Sequence, residues 1–134
     1  REHAYTPYSH FHVGAALLTK AGKVYQGCNI ENAAYSPSVC AERTAFFKAV
    51  YEGEREFQAI AIMGGPEAIK GPDCAVCAPC GICRQVLREF ACDLNMPVIV
   101  GQAGGPIQVK TLGELLPLGF TAADMAPARG KLSK

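Results

Sequence analysis

The sequence predicts an α/β domain of three layers, α/β/α, around a mixed sheet of about five strands. Two patterns predict it: apolar, β-compatible runs alternate with segments of helical period, and further strands follow the second helix. With 134 residues, 49% of them hydrophobic, residues 1–134 can bury one core without cross-links and read as a single domain.

The opening residues through Pro7-Tyr8-Ser9 are extended or turn-like, because proline biases its predecessor away from helix. Phe11 to Lys20 and Lys23 to Asn29 form the arms of a β-hairpin about an Ala21-Gly22 turn. Asn29 to Val39, interrupted by Asn32, Ser36 and Pro37, is a loop. A helix over Ser38 to Glu52 carries the apolar stripe Ala45, Phe46, Ala49 and Val50 and ends at Gly53. Phe57 to Met63 is a compact apolar strand, and Gly64 to Pro79 is a long loop rich in glycine and proline. The second helix spans Cys80 to Phe90; Cys83, Val86, Leu87 and Phe90 share one face, which turns Cys83 inward. Pro97 to Val100 and Ile107 to Val109 are short strands about a Gly104-Gly105-Pro106 turn. A short helix follows near Thr111 to Leu116, then a capping-box variant at Thr121-Ala122-Ala123-Asp124, and 129–134 read as a frayed basic tail.

Thirteen basic against twelve acidic residues leave a formal charge of +1, which argues against nucleic acid or an anionic membrane as partner. No apolar run approaches the roughly 18 residues of a membrane span, and Arg1-Glu2-His3-Ala4 lacks a signal-peptide core. The expected setting is the cytoplasm and the expected partner a small, nearly neutral molecule. Seven cysteines are an odd number, and four of them fall in one tight run, so metal binding outweighs a disulfide framework.

Two stretches carry the chemistry: Cys40-Ala41-Glu42-Arg43 and Pro79-Cys80-Gly81-Ile82-Cys83-Arg84-Gln85. A catalytic zinc takes three protein ligands and keeps a fourth position for water, and Cys40, Cys80 and Cys83 supply three. Each stretch opens a helix, whose free N–H groups and positive end favour thiolates. Glu42, two residues beyond Cys40, does not share its helix face and suits general acid/base work on the water better than ligation. Three thiolates with Zn²⁺ sum to −1, which makes the water harder to ionise. Hydrogen bonds to the sulfurs from Arg43 above all, and from Arg84 and Gln85, are expected to withdraw that charge.

Cys-Ala-Glu followed by Pro-Cys-x-x-Cys matches the zinc deaminase pattern, with cysteine in the histidine position. Tyr8 to Leu17 (YSHFHVGAAL), Gly27 to Tyr35 (GCNIENAAY) and Cys40 to Ala45 (CAERTA) then resemble, in order, the successive motifs of the small cytidine deaminases over nearly the whole chain. The resemblance implies a cytidine deaminase fold with one zinc per chain. It also implies hydrolytic deamination of cytidine and 2′-deoxycytidine to the uridine nucleosides, with Glu42 shuttling protons until ammonia leaves. It further implies that Asn29 and Glu31 bond the ribose hydroxyls, that Phe11 packs on the pyrimidine, and that the Ala41 N–H and Glu42 read the base edge. Members assemble as homotetramers with shared sites, and Ala33, Tyr35 and Phe120 match the positions that reach across. They carry a helix ahead of the Tyr-x-Pro-Tyr-Ser motif, and this sequence opens almost at that motif, so that helix is expected to be missing here.

Cys74 and Cys77 extend the second stretch into a Cys-x2-Cys-x2-Cys-x2-Cys run outside the family pattern, and are expected to have no role. An iron–sulfur or redox protein using that run is the competing class. The last spacing is two rather than three, no proline follows Cys83, and Cys40-Ala41-Glu42 would go unused. Within the enzyme class a modified cytosine nucleoside is the alternative substrate. Cys28 and Cys92 are expected to be small buried hydrophobes, and His10 and His12 to be surface or pocket-rim residues without partners.

Overall fold

In a computed structural model that describes residues 1–69, 76–101 and 105–125, the hairpin forms first along the chain. β1 (Phe11–Thr19) pairs antiparallel with β2 (Val24–Cys28), from Leu18 opposite Val24 to Gly14 opposite Cys28. Thr19 closes the turn by donating its N–H to the Lys23 carbonyl at 2.9 Å and accepting the Lys23 N–H on its hydroxyl at 3.0 Å. Gly22 supplies the φ of 87° that the turn requires.

The chain continues through α1 (Ala41–Tyr51), β3 (Phe57–Pro66), α2 (Gly81–Phe90), β4 (Pro97–Gly101), β5 (Ile107–Thr111), α3 (Leu112–Leu115) and α4 (Ala122–Met125). The strands lie in the order β2-β1-β3-β4-β5. Among the described strands only β3 and β4 run parallel, so the sheet is mixed and five-stranded, as the sequence predicts. A parallel pair needs a crossover, and α2 supplies it.

β3 runs three residues beyond the expected Met63. Gly64, Gly65 and Pro66 pair with Val13, His12 and Phe11 of β1. Local glycine and proline content reads as a loop, but β1 offers a full-length partner, and Pro66 occupies the last pair, where its missing N–H breaks no interior ladder bond. α1 starts at Ala41 rather than Ser38 because Val39 is held in a two-way backbone exchange with Ile30, each N–H···O distance being 2.9 Å. Gly53, at φ 98°, ends the helix as expected.

Val13, Ala15 and Leu17 of β1 line one face of the sheet with Ile60 and Ile62 of β3, buried under Ala45, Phe46 and Ala49 of α1 and Leu87 of α2. Phe46 stacks obliquely on Phe57 and Phe90, with centroids 4.7 and 5.1 Å away. The opposite face carries Gly14, Ala16, Ala61, Met63 and Ile99, which line a groove of about 650 Å³. α1 sits unusually close to β2: a Cβ on Gly27 would collide with the Ala41 carbonyl and the Ala45 N–H. Backbone against backbone, this contact fixes where α1 begins. A full capping box on α3, Thr111 with Glu114, ties the end of β5 to the helix. Among the described residues no helix is long and apolar enough to cross a membrane.

Candidate metal centre and its surroundings

Cys40 and Cys80 are the N-cap residues of α1 and α2, both extended (ψ 156° and 167°), and Cys83 lies one turn into α2, fully buried. The sequence therefore brings two helix starts together at one point. The Sγ atoms of Cys40 and Cys80 are 3.8 Å apart, and the three sulfurs lie within 4.8 Å of one another. A tetrahedral zinc with Zn–S bonds of about 2.3 Å has edges of about 3.8 Å, so the donor set fits zinc in size, in softness and in leaving one corner open.

The electrostatics favour thiolate at Cys40. Its thiol is drawn down to about 5, first by a hydrogen bond from Cys83 and then by Arg43 and Cys80, against the opposing effect of burial. Cys83 is pushed up, as the donor of that bond and as a buried group beside Glu42. A divalent cation at the three sulfurs would displace the remaining protons.

Arg43 Nη2 lies 3.6 Å from Cys40 Sγ and 3.4 Å from the Ser38 carbonyl, so the guanidinium reaches the ligand expected of it. Arg84 and Gln85 are oriented elsewhere. Arg84 bonds the carbonyls of Pro79 (2.8 Å) and Leu115 (2.9 Å), and the Gln85 amide bonds that of Phe120 (2.9 Å). At the second helix start these two side chains brace backbone segments instead of donating to sulfur, because free carbonyls of neighbouring turns lie within their reach.

Glu42 is only 4% exposed. Burial, followed by the charge of Cys40, raises its carboxyl above the ordinary carboxylate range, with Arg43 opposing. A carboxyl raised in this way, two residues from Cys40, holds a proton more readily than an exposed one, which suits it to proton transfer. Ala41 is fully buried beside it.

Asn29, just after β2, accepts the Val13 N–H on Oδ1 at 2.9 Å and donates to the Phe11 carbonyl at 2.8 Å. Its amide thus spaces the start of β1 and keeps one N–H and one lone pair for another partner. Glu31 accepts the N–H groups of Tyr8 (2.9 Å) and Ser9 (3.2 Å) on a single oxygen. The Ser9 side chain, then these amides, hold its carboxyl below the ordinary range. Phe11 is partly exposed at the head of β1. Ala33, Tyr35 and Phe120 lie exposed, Tyr35 with φ 56° and its ring 5.8 Å from that of Tyr8, edge to face.

Three expectations are corrected. Cys28 is only half-buried, bonding the His3 carbonyl at 3.3 Å, and Cys92 is exposed, since each falls at the end of an element, clear of the packed face. His10 and His12 do have a partner, Glu67, whose Oε2 is 3.2 Å from His10 Nδ1 and whose Oε1 is 4.0 Å from His12 Nε2. Sequence reasoning overlooked Glu67 because it lies in the stretch read as loop. Cys77 packs half-buried against Gly64, outside the three-sulfur cluster; burial and the nearby Glu42 raise its thiol. Cys74, the turn glycine Gly104 and the 129–134 tail lie outside the described residues.

A family model described as the cytidine and deoxycytidylate deaminase zinc-binding region matches residues 1–98. The chain is 52% identical to a cytidine deaminase of Sporosarcina psychrophila over 128 residues, 96% of this chain and 88% of that protein. It is also 52% identical to one of Halalkalibacterium halodurans over 93% of this chain and 89% of that protein. The fold matches the crystal structure of cytidine deaminase from Burkholderia pseudomallei with a TM-score of 0.77 at 48% identity, covering 90% of each chain. With three cysteines converging from two helix starts and a buried glutamate beside them, these matches establish that the chain belongs to the cytidine and deoxycytidylate deaminase family.

Proposed function

We propose that the protein deaminates cytidine and 2′-deoxycytidine to uridine and 2′-deoxyuridine, with one zinc ion held by Cys40, Cys80 and Cys83. Zinc, when bound there, supplies a Lewis acid that lowers the pKa of water and so provides a nucleophile at neutral pH. The observation that carries the reading is Glu42, buried and raised in pKa beside three converging sulfurs.

Glu42 takes the two protons of water one after the other, the first as the water oxygen bonds to C4 of the base and the second from the resulting C4 hydroxyl as the amino group leaves. One proton ends on ring N3 and the other on the amino nitrogen, whose bond to C4 breaks as ammonia leaves. Burial serves both halves of this cycle, since a raised carboxyl binds the proton readily and still releases it. The Ala41 N–H at the first turn of α1 would fix the base edge, and Phe11 would pack on the ring. Asn29 and Glu31 are the polar groups offered to the sugar hydroxyls. Arg43 withdraws charge from Cys40.

The assembly we propose is a cytoplasmic homotetramer in which Ala33, Tyr35 and Phe120 reach a neighbour's site. Its support is the exposure of large apolar groups here, 71% for Tyr35 and 58% for Phe120.

The test is metal analysis of the purified protein with the ultraviolet change on adding cytidine. One zinc per colourless chain with turnover is expected, and Glu42→Gln should keep the zinc and lose about 10²–10⁴-fold in kcat. Full activity in Glu42→Gln, or a brown iron-bearing protein, would overturn the assignment.

A further inference from the structure

His10 is a non-glycine residue in the left-handed region, at φ 53°, immediately before Phe11. Such a conformation persists only where neighbours impose it. Here the His10 N–H donates to the Thr6 carbonyl at 3.1 Å, and its own carbonyl accepts the Glu67 N–H at 2.7 Å. The Glu67 carboxylate then spans the strand start, with one oxygen 3.2 Å from His10 Nδ1 and the other 4.0 Å from His12 Nε2. One side chain thus hydrogen-bonds His10 on one side of Phe11 and lies near His12 on the other.

Glu67 itself stands on a tied turn. The Ile69 N–H bonds the Pro66 carbonyl at 3.1 Å, and the Arg1 guanidinium bonds the carbonyls of Pro66 (2.8 Å) and Ile69 (2.9 Å). Strand alternation places Phe11 on the side of Val13, Ala15 and Leu17, the face covered by the helices, and His12 on the other side. Glu67 therefore ties the strand start through His10, whose carbonyl and ring it both engages, with His12 close by on the far side of Phe11. Asn29 fixes the Phe11 carbonyl, and Ser9 Oγ accepts the Phe11 N–H at 3.1 Å.

We propose that Glu67 is a positioning residue for the pyrimidine, acting through His10 on the orientation of Phe11. The proposal rests on the reading of Phe11 as the ring that packs on the base. Glu67 is half-exposed, and a contact at such exposure contributes little to stability. Its effect belongs in substrate binding, where a small displacement of a packing group is costly.

The experiment measures kcat and KM for cytidine on the zinc-loaded enzyme and its Glu67→Ala, Glu67→Gln, Phe11→Ala and Glu67→Ala/Phe11→Ala variants. Glu67→Ala should raise KM about 3- to 10-fold with kcat within about twofold and melting within about 2 °C of the parent. Glu67→Gln, whose amide can still hydrogen-bond His10 Nδ1 in either tautomer, should restore KM to within about twofold. In the Phe11→Ala background the Glu67 substitution should have no further effect. If Phe11→Ala raises KM and Glu67→Ala does not, or if Glu67→Ala acts equally in both backgrounds, the positioning role is overturned and the reading of Phe11 survives. An unchanged KM in Phe11→Ala overturns both.

Discussion

The sulfurs of Cys40 and Cys80 stand 3.8 Å apart although 40 residues separate them and each caps a different helix. That spacing matches one edge of a zinc–sulfur tetrahedron, so a zinc ion bound there would couple folding to metal binding by holding α1 against α2. Adding zinc at about 100 times its dissociation constant should stabilise the parent protein by about 2.7 kcal/mol. Cys80→Ala should bind less than one zinc per chain and lose that response, read by metal analysis and by thermal melts with and without zinc. A Cys80→Ala protein still holding a full complement of zinc would contradict the ligand set.

Arg43 is the only one of the three nearby polar side chains named from the sequence, Arg43, Arg84 and Gln85, found donating to a ligand sulfur, at 3.6 Å. Before a metal binds, the Cys83 hydrogen bond and then Arg43 hold Cys40 down at about 5; Arg43 stays in place when zinc displaces the Cys83 proton, so it limits the competition of protons with zinc at Cys40. Removing the guanidinium raises the Cys40 thiol, and competition then begins at higher pH. Arg43→Ala should bind zinc about 10- to 100-fold more weakly at pH 7, the usual effect of losing a group that supports a metal ligand. Its zinc release on acidification, followed with a coloured chelator, should begin at higher pH than in the parent. Superimposable release curves would remove Arg43 from the metal centre.

The metal centre was legible because its signals are local. Cys40-Ala41-Glu42 and Pro79-Cys80-x-x-Cys83 each state a helix start and a ligand in a few letters, and helical period turned Cys83 inward. What was not legible depends on partners far away in sequence. Gly64-Gly65-Pro66 has the composition of a loop and becomes strand only because β1 is long enough to pair with it. That extension carries Glu67 to His10, 57 residues away, a meeting no local pattern announces. Gly27 likewise reads as one more small residue of the hairpin, yet it is the point where the backbones of β2 and α1 touch. Arg84 and Gln85 follow the same motif as the ligands but bond carbonyls of later segments, whose positions only the tertiary fold supplies.

Glu31 gives a pH prediction with a definite sign. Hydrogen bonds from Ser9 and Tyr8 depress its carboxyl below the ordinary value of 4.5. A depressed carboxylate keeps its charge, and its contribution to the folded state, at all pH above the unfolded value, and loses both only as pH falls through the lower folded value. As an acceptor for a sugar hydroxyl it is therefore available throughout pH 5–8, and KM for cytidine should show no limb there attributable to Glu31. Glu31→Gln exchanges a charged acceptor for a neutral one and should raise KM about 10- to 100-fold, because hydrogen bonds to charged groups contribute about 1.5–3 kcal/mol. The increase should be the same at pH 5.5 and pH 7.5. An increase that shrinks toward acid pH would mean that Glu31 titrates in this range and is not held as the structure indicates.

The last prediction concerns whether one chain makes a whole site. Tyr35 is 71% exposed and at φ 56°, with its ring edge to face with that of Tyr8. If its work is done in a neighbour's site, two inactive chains with different lesions can complement one another. Glu42→Gln chains would lack the proton carrier but offer an intact Tyr35, and Tyr35→Ala chains the reverse. After mixing in equal amounts, dissociation and reassembly with zinc, a site formed by a Tyr35→Ala chain beside a Glu42→Gln neighbour contains both groups. Random assembly in a closed oligomer makes about a quarter of the sites whole, so activity should return to about a quarter of the parent level. Sedimentation should show the same oligomer for parent, variants and mixture. If Tyr35→Ala is impaired and mixing restores nothing in a correctly assembled oligomer, Tyr35 acts within its own chain and the shared-site arrangement is wrong.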